Sequence, residues 1–241
     1  MIDFDEVIRW TNENSGFLSL VLFLLTLLIA WVSGLFKSLT KRPKFKIGII
    51  EQCTFGTTFD LKREHNGYPV TKTAFAIYLE ITNIGNAPSS IGKIELGYIK
   101  MDFIPRIFSK RNWINEVMAK DDFKVNFKES EKVKVYPFLK QRNSSYQNDT
   151  DTYLAVGRTV NGIVYFEQVE AFGSWMPRLN RDGQSTNLKI KISDSFDNVH
   201  SIKFDLALVD SEIAFSFNRF FGQTEKEYFS NTDEQSKNEK E

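Results

Sequence analysis

The residues of this 241-residue chain that could do chemistry are few and widely spaced. Cys53 is the single cysteine, and His65 and His200 are the two histidines. A thiol nucleophile needs a base within hydrogen-bond reach, and neither histidine sits in a recognisable nucleophile motif. Cys53 lies in a strand-like stretch and reads as a small buried hydrophobe. One cysteine allows no intrachain disulfide, which is ordinary in a reducing cytoplasm. Asp205 and Asp210 in FDLALVDSE could pair as acid and base or hold a metal. In a strand, however, residues five apart point to opposite faces. Asp194, Asp197 and Asn198 in SDSFDN offer the oxygens of a weak calcium loop, yet the same string is turn-forming sequence. GSWMP, Gly173 to Pro177, is only superficially like a serine elbow. No phosphate-cradling loop, H-E-x-x-H string or clustered Cys/His set is present. The sequence thus nominates no catalytic, cofactor-binding or metal residue, and the chain reads as a non-enzyme.

Charge adds a second exclusion. Thirty-one basic side chains balance 31 acidic ones, so there is no broad field to draw nucleic acid or an acidic partner. A nucleic-acid partner is not expected.

The elements that would position any site begin with a charge-free run. From Asn14 to Phe36, 23 residues carry no ionisable side chain. As a helix this run spans roughly 34 Å, enough for a hydrocarbon core of roughly 30 Å. It is too long for a signal-peptide core, its leader is acidic (Asp3, Asp5, Glu6, Glu13 against Arg9), and its exit is bulky. The run therefore reads as a single transmembrane helix over 16–36, after an extracytoplasmic N-terminus of residues 1–15. Lys37, Lys41, Arg42, Lys44 and Lys46 follow it without an acid. By the positive-inside rule they place the C-terminal part in the cytoplasm, at the inner face of the cell membrane. Residues 37–44 form a basic juxtamembrane linker that can also attract anionic headgroups.

Residues 45–220 read as one mostly β domain, with 22 phenylalanines in the chain to fill it. FKIGIIEQ (45–52), TAFAIYLEIT (73–82), IGKIELGYIK (91–100), KVKVYPF (132–138), GIVYFEQVEA (162–171), TNLKIKIS (186–193) and HSIKFDLALV (200–209) are strand-like. TAFAIYLEIT alternates Phe75, Ile77, Leu79 and Ile81 with more polar neighbours, a half-buried pattern. RNWINEVMAKDDF, Arg111 to Phe123, sets Trp113, Val117 and Met118 near helical spacing. A short helix is expected there, packed on the sheet edge or touching the bilayer, with FIPRIF (103–108) in the same unit. QRNSSYQNDTDT (141–152) is a polar loop with glycosylation-like strings at Asn143 and Asn148. Residues 221–241 form a charged, partly disordered tail.

Two phrases resemble those of bacterial and archaeal immunoglobulin-like sandwiches. LEITNIGNAPSSIGKIEL carries the likeness at Ile81, Asn83, Gly85 and Pro88. LAVGRTVNGIVYFE carries it at Gly157, Gly162, Val164 and Phe166. The resemblance implies an antiparallel immunoglobulin-like β-sandwich over about 45–220, and implies nothing about activity. Independently of it, Asn83 can bond its own backbone at the strand end, Gly85 can take a positive φ, and Pro88 disfavours continued pairing.

A tethered sandwich with no nominated site points to a membrane-anchored interaction module. Its partners would be the lipid bilayer and either another protein or a second copy of the chain. The alternative is a ligand- or partner-responsive membrane sensor or effector, as in anti-phage defence, binding a small ligand and assembling through its helix. Ser19, Thr26 and Ser33 at heptad spacing, with Ala30 and Gly34 four apart, would permit close helix contact.

Overall fold

The computed structural model describes residues 4–35, 41–101, 109–127, 132–141 and 152–224. They divide into two compact units, Met1–Arg42 and Pro43–Glu241. FIPRIF, the two Asn-x-Ser/Thr strings and the tail beyond Thr224 lie outside the described residues.

The first unit is helical. Helix α1 spans Phe4–Glu13 and helix α2 spans Ser15–Val32. Helix α1 falls within the stretch expected only as a short N-terminal segment. Helix α2 is long and apolar enough to cross a membrane by length and composition, and none of its residues is buried. Three hydroxyls bond back to the helix backbone: Ser19 donates to Ser15 O (2.8 Å), Thr26 to Phe23 O (2.7 Å) and Ser33, just past its end, to Ala30 O (3.1 Å). Gly34, at φ +76°, closes its end, its N–H donating to Trp31 O.

The second unit is mainly β. Strands β1 (Phe45–His65), β2 (Tyr68–Asn83), β8 (Thr159–Glu167) and β9 (Ala171–Phe172) form one sheet in the order β1-β2-β8, with β9 also on β2. Strands β3 (Ser89–Ile99), β4 (Arg111–Asn115), β7 (Tyr153–Leu154), β10 (Ser185–Asp194) and β11 (Val199–Ala207) form a second, ordered β11-β10-β3-β4, with β7 also on β3. A hairpin of β5 (Phe123–Phe127) and β6 (Lys132–Tyr136) and the short helix α3 (Ser211–Phe217) complete the unit.

Strand β2 explains the layering. Its odd residues Phe75, Ile77, Leu79 and Ile81 join Ile94, Leu96, Tyr98, Leu188, Ile190 and Ile192 of the second sheet in one core. Its even residues Ala74 and Ala76 face a second core of Cys53, Phe55, Phe123, Tyr136, Ile163, Tyr165 and Phe221. The half-buried expectation for 73–82 is thereby corrected: the small alanines are buried too, because the hairpin, α3 and the chain through Phe221 cover that face. Packing also continues past residue 220, with Phe221 2% exposed.

The expected helix within Arg111–Phe123 is a strand instead. Gly97 has no side chain, so the Trp113 ring lies flat over it; a Cβ there would meet the ring at 2.8 Å. Ile114 packs on the first core, and Lys191 Nζ sits 3.6 Å over the Trp113 ring. Cross-strand contacts override the helical spacing. The chain then crosses to the other sheet, where Val117 N–H donates to Tyr165 O (2.9 Å).

Asn83 ties the turn after β2. Its side-chain amide donates to Ala87 O (2.8 Å) and Leu154 O (3.0 Å), and its oxygen accepts from Gly85 N–H (3.0 Å). Gly85 itself is absent from the positive-φ residues, so its expected left-handed geometry is corrected: the Asn83 bond shapes the turn. Gly162 does a different job. The chain at Phe138–Leu139 runs parallel to Ile163, with Leu139 N–H donating to Ile163 O (2.9 Å). A Cβ on Gly162 would sit 2.5 Å from the Leu139 backbone. Gly162→Ala is expected to destabilise the domain by about 3 kcal/mol, the upper part of the overpacking range, read as a lower midpoint in urea unfolding.

Candidate functional site

The largest departures from an ordinary core cluster at one end of the first sheet. Lys72 and Glu167 are both buried, and Lys72 Nζ lies 3.0 Å from Glu167 Oε1. Register explains the meeting. Glu167 pairs with Ala74, and Lys72 lies two residues earlier on the same face of β2. Phe59 pairs with Lys72 across β1 and β2. The ring of Phe59 stacks on Phe215 of α3 at 5.8 Å and tilts against Phe221 at 6.3 Å.

These rings wall an open cleft of about 580 Å³, with Lys72 and Glu170 among its lining residues. Arg63 and Glu170 form an ion pair at its margin. Gly222 (φ +86°) lets the chain pass over the Phe59 ring, where a Cβ would meet ring carbon at 2.6 Å, and its N–H donates to Tyr165 Oη (2.7 Å). On the other flank of Phe59 lies a more acidic cleft of about 570 Å³, with Asp60, Asp210 and Glu212. The N–H and ammonium of Lys62 hold the Asp60 carboxyl below the usual range.

The first core carries a polar network at this same end. Tyr98 Oη accepts from Asn112 Nδ2 (2.7 Å) and Gln168 Nε2 (2.5 Å) and donates to Trp175 O (3.3 Å). Burial pushes the Tyr98 phenol up, partly offset by the bonds from Asn112 and Gln168. Val169, Tyr68, Trp175 and Phe172 are exposed around it. Chemically, the end offers aromatic faces above a compensated charge pair. It suits an apolar or aromatic group of a partner.

The residues nominated from sequence lie elsewhere or serve the fold. Cys53 occupies a bulge of β1 at φ +59° and is buried. Burial pushes its thiol well up, against a smaller opposing pull from Lys134. The His65 ring lies tilted against Phe172 at 4.4 Å. Asp205 accepts from Asn187 Nδ2 (2.8 Å) and Asn180 Nδ2 (3.2 Å), whereas Asp210 lies beyond β11 at the start of α3. The two are not brought together. Gly173–Trp175 is a 3-10 turn. No group of three or more potential metal-ligating side chains occurs among the described residues.

Asp194 is a turn anchor. Its Oδ1 accepts from Phe196 N–H (2.8 Å) and Asn198 N–H (3.0 Å), and its Oδ2 from Asn198 Nδ2 and His200 Nε2 (3.0 Å each). His200 Nδ1 accepts from Phe45 N–H (3.2 Å), which leaves the ring proton on Nε2. Burial raises the Asp194 carboxyl, but the donors from His200, Asn198 and Phe196 outweigh it and hold it below the usual range.

Lys72 and Glu167 went unnoticed in the sequence. The available signal was parity: Lys72 shares a strand face with Val70, Ala74 and Ala76, all buried, and a charge there needs a partner.

No protein-family model matches the chain, and no curated protein matches it. Among solved structures it is similar to a Bordetella pertussis protein assigned as ApaA. That likeness covers 70% of this chain and 96% of the other, at 11% identity and a TM-score of 0.28. A score that low carries no argument about fold or function.

Two outcomes are expected. Lys72→Met alone costs about 3–5 kcal/mol by stranding the Glu167 carboxylate, and Lys72→Met with Glu167→Leu recovers most of it; a urea-unfolding double-mutant cycle reads both. Asp194→Asn sets an amide NH₂ against two of its four donors. Because the folded carboxyl titrates below the ordinary value of about 3.9, its stabilisation is full above that pH and fades as pH falls through the depressed range. The difference in stability between wild type and Asp194→Asn is therefore largest above about pH 4 and shrinks below it.

Proposed function

We propose that the chain is a membrane-anchored interaction module without enzymatic activity. Helix α2 spans the cell membrane once, the N-terminus lies outside, and an immunoglobulin-like β-sandwich faces the cytoplasm. The observation that carries the proposal is helix α2: eighteen uncharged, mostly apolar residues, none buried in protein, with the Ser19 and Thr26 hydroxyls bonded to its own backbone. A helix satisfies its backbone polar groups internally, as a bilayer demands. The five cations after it favour a cytoplasmic domain.

The non-enzymatic part rests on how the candidate groups are used. Cys53 is buried with its thiol pushed up, and His200 is held between Asp194 and Phe45. The aromatic cleft beside Phe59 is the partner-binding surface. Its rings and its neutralised charge pair suit an apolar side chain presented by another membrane-associated protein.

Two measurements test this. Alkaline carbonate is expected to leave the chain in the membrane fraction, and protease added to intact spheroplasts to leave the β domain uncut until lysis. A photo-crosslinker at Phe215 is expected to give one discrete hetero-complex. A domain cut from outside overturns the topology. A ladder of self-multimers from Phe215 overturns the module reading in favour of a self-assembling effector.

A further inference from the structure

The chain enters the β domain at one end, and that end is capped by three turns. The β2–β3 turn follows Asn83, the β7–β8 turn follows Leu154, and the β10–β11 turn follows Asp194. Pairing places them together. Phe45 pairs with Asn83, Thr82 with Thr159, Ser89 with Leu154, and Asp194 with Ile91. Hydrogen bonds then tie the turns to one another and to the entering chain. Ile84 N–H donates to Lys44 O (2.8 Å), Gly157 N–H to Asn83 O (2.8 Å), and Ser195 N–H to Ser89 Oγ (3.2 Å).

Each turn holds a large apolar side chain out to solvent: Ile84 at 51% exposure, Val156 at 54% and Phe196 at 64%. Tyr153 and Val199 beside them are also exposed. A loop tip needs no such residue for its own geometry. These turns are fixed by Asn83 and by the four donors on Asp194, so display of the apolar groups is built in rather than incidental. The charges nearby are mostly positive. Lys41, Arg42 and Lys44, next to the entry point, and Arg158, next to Val156, are exposed, against the single exposed acid Asp197 among the described residues of the three turns.

We infer that these three tips dock the β domain on the lipid surface of the membrane that holds its own helix. The inference rests on the proposal that α2 spans that membrane. Twelve residues separate Val32 from Phe45, and even fully extended they reach only about 40 Å. The end of the domain that the linker enters is therefore kept close to the bilayer. Apolar side chains framed by cations suit an anionic interface, where rings and aliphatic groups enter the acyl boundary and cations stay with the headgroups. Docking fixes the long axis of the strands across the surface layer. It turns the opposite end, with the Phe59 cleft and Val169, toward the cytoplasm.

The test uses the full chain in nanodiscs of phosphatidylcholine and phosphatidylglycerol. Cys53 is buried, so a fluorophore is placed on Val156→Cys, Phe196→Cys or, at the far end, Val169→Cys. The expected result is blue-shifted emission at 156 and 196, quenched by lipids spin-labelled near the headgroup, with label 169 water-like. Water-like emission at 156 and 196 overturns the docking, as does equal quenching at 169. Alkaline carbonate extraction of the same chain from cell membranes separates the two claims. A chain that resists extraction with unquenched tips is anchored but undocked, whereas one that washes out has lost the anchor as well.

Discussion

Strand β2 is dry on both faces from Val70 to Ile77, and much of the β domain follows from that. A strand with one wet face alternates apolar and polar residues. Here Ala74 and Ala76 are as buried as Phe75 and Ile77. The odd face requires the second sheet. The even face requires a cover, supplied by the β5–β6 hairpin, α3 and the chain through Phe221. Two-sided burial leaves little room, and glycine makes it where chain meets chain: Gly56 under Phe75 and Leu208, Gly97 under Trp113, Gly162 against Leu139. It also makes a charge within that buried stretch of β2 expensive unless paired. Lys72 meets that condition through Glu167, at the edge of the cover.

The two ends of the domain are built differently. The end near Phe45 is tied by polar turns around Asn83 and Asp194 and displays isolated apolar tips. The opposite end gathers the buried ion pair, the Tyr98 network and the aromatic cleft. This polarity along the strands, with the chain entering at one end, is what the proposed surface-facing and partner-facing roles rest on.

Much of the strand pattern was legible in the sequence because alternation survives where one face is wet, as in β10, where Leu188, Ile190 and Ile192 oppose lysines. It failed where a second layer intervenes. β5 alternates Phe123, Val125 and Phe127 with Lys124 and Asn126, but five residues abutting the expected helix are too short a run to stand out, and the seven of α3 give too little periodicity. The helix expected around Trp113 was a spacing coincidence, undone by the Gly97 window that lets the indole lie on the sheet. SDSFDN was correctly a turn, but its role as a carboxylate held by four donors needed His200, which sequence distance hides. The cleft was illegible for a simpler reason. Its walls come from β1, α3 and the turn after it, and only the fold brings Phe59, Phe215 and Phe221 together.

Two elements carry the proposed design: an apolar helix that would lie in lipid and a strand buried in protein. Hydrogen–deuterium exchange of the full chain in nanodiscs measures both at once. The expected result is that amides of Ser15–Val32 and of Ala74–Ile81 exchange most slowly, each by orders of magnitude relative to the exposed turns. Rapid exchange over Ser15–Val32, alongside a protected β2, would contradict the membrane-anchored account.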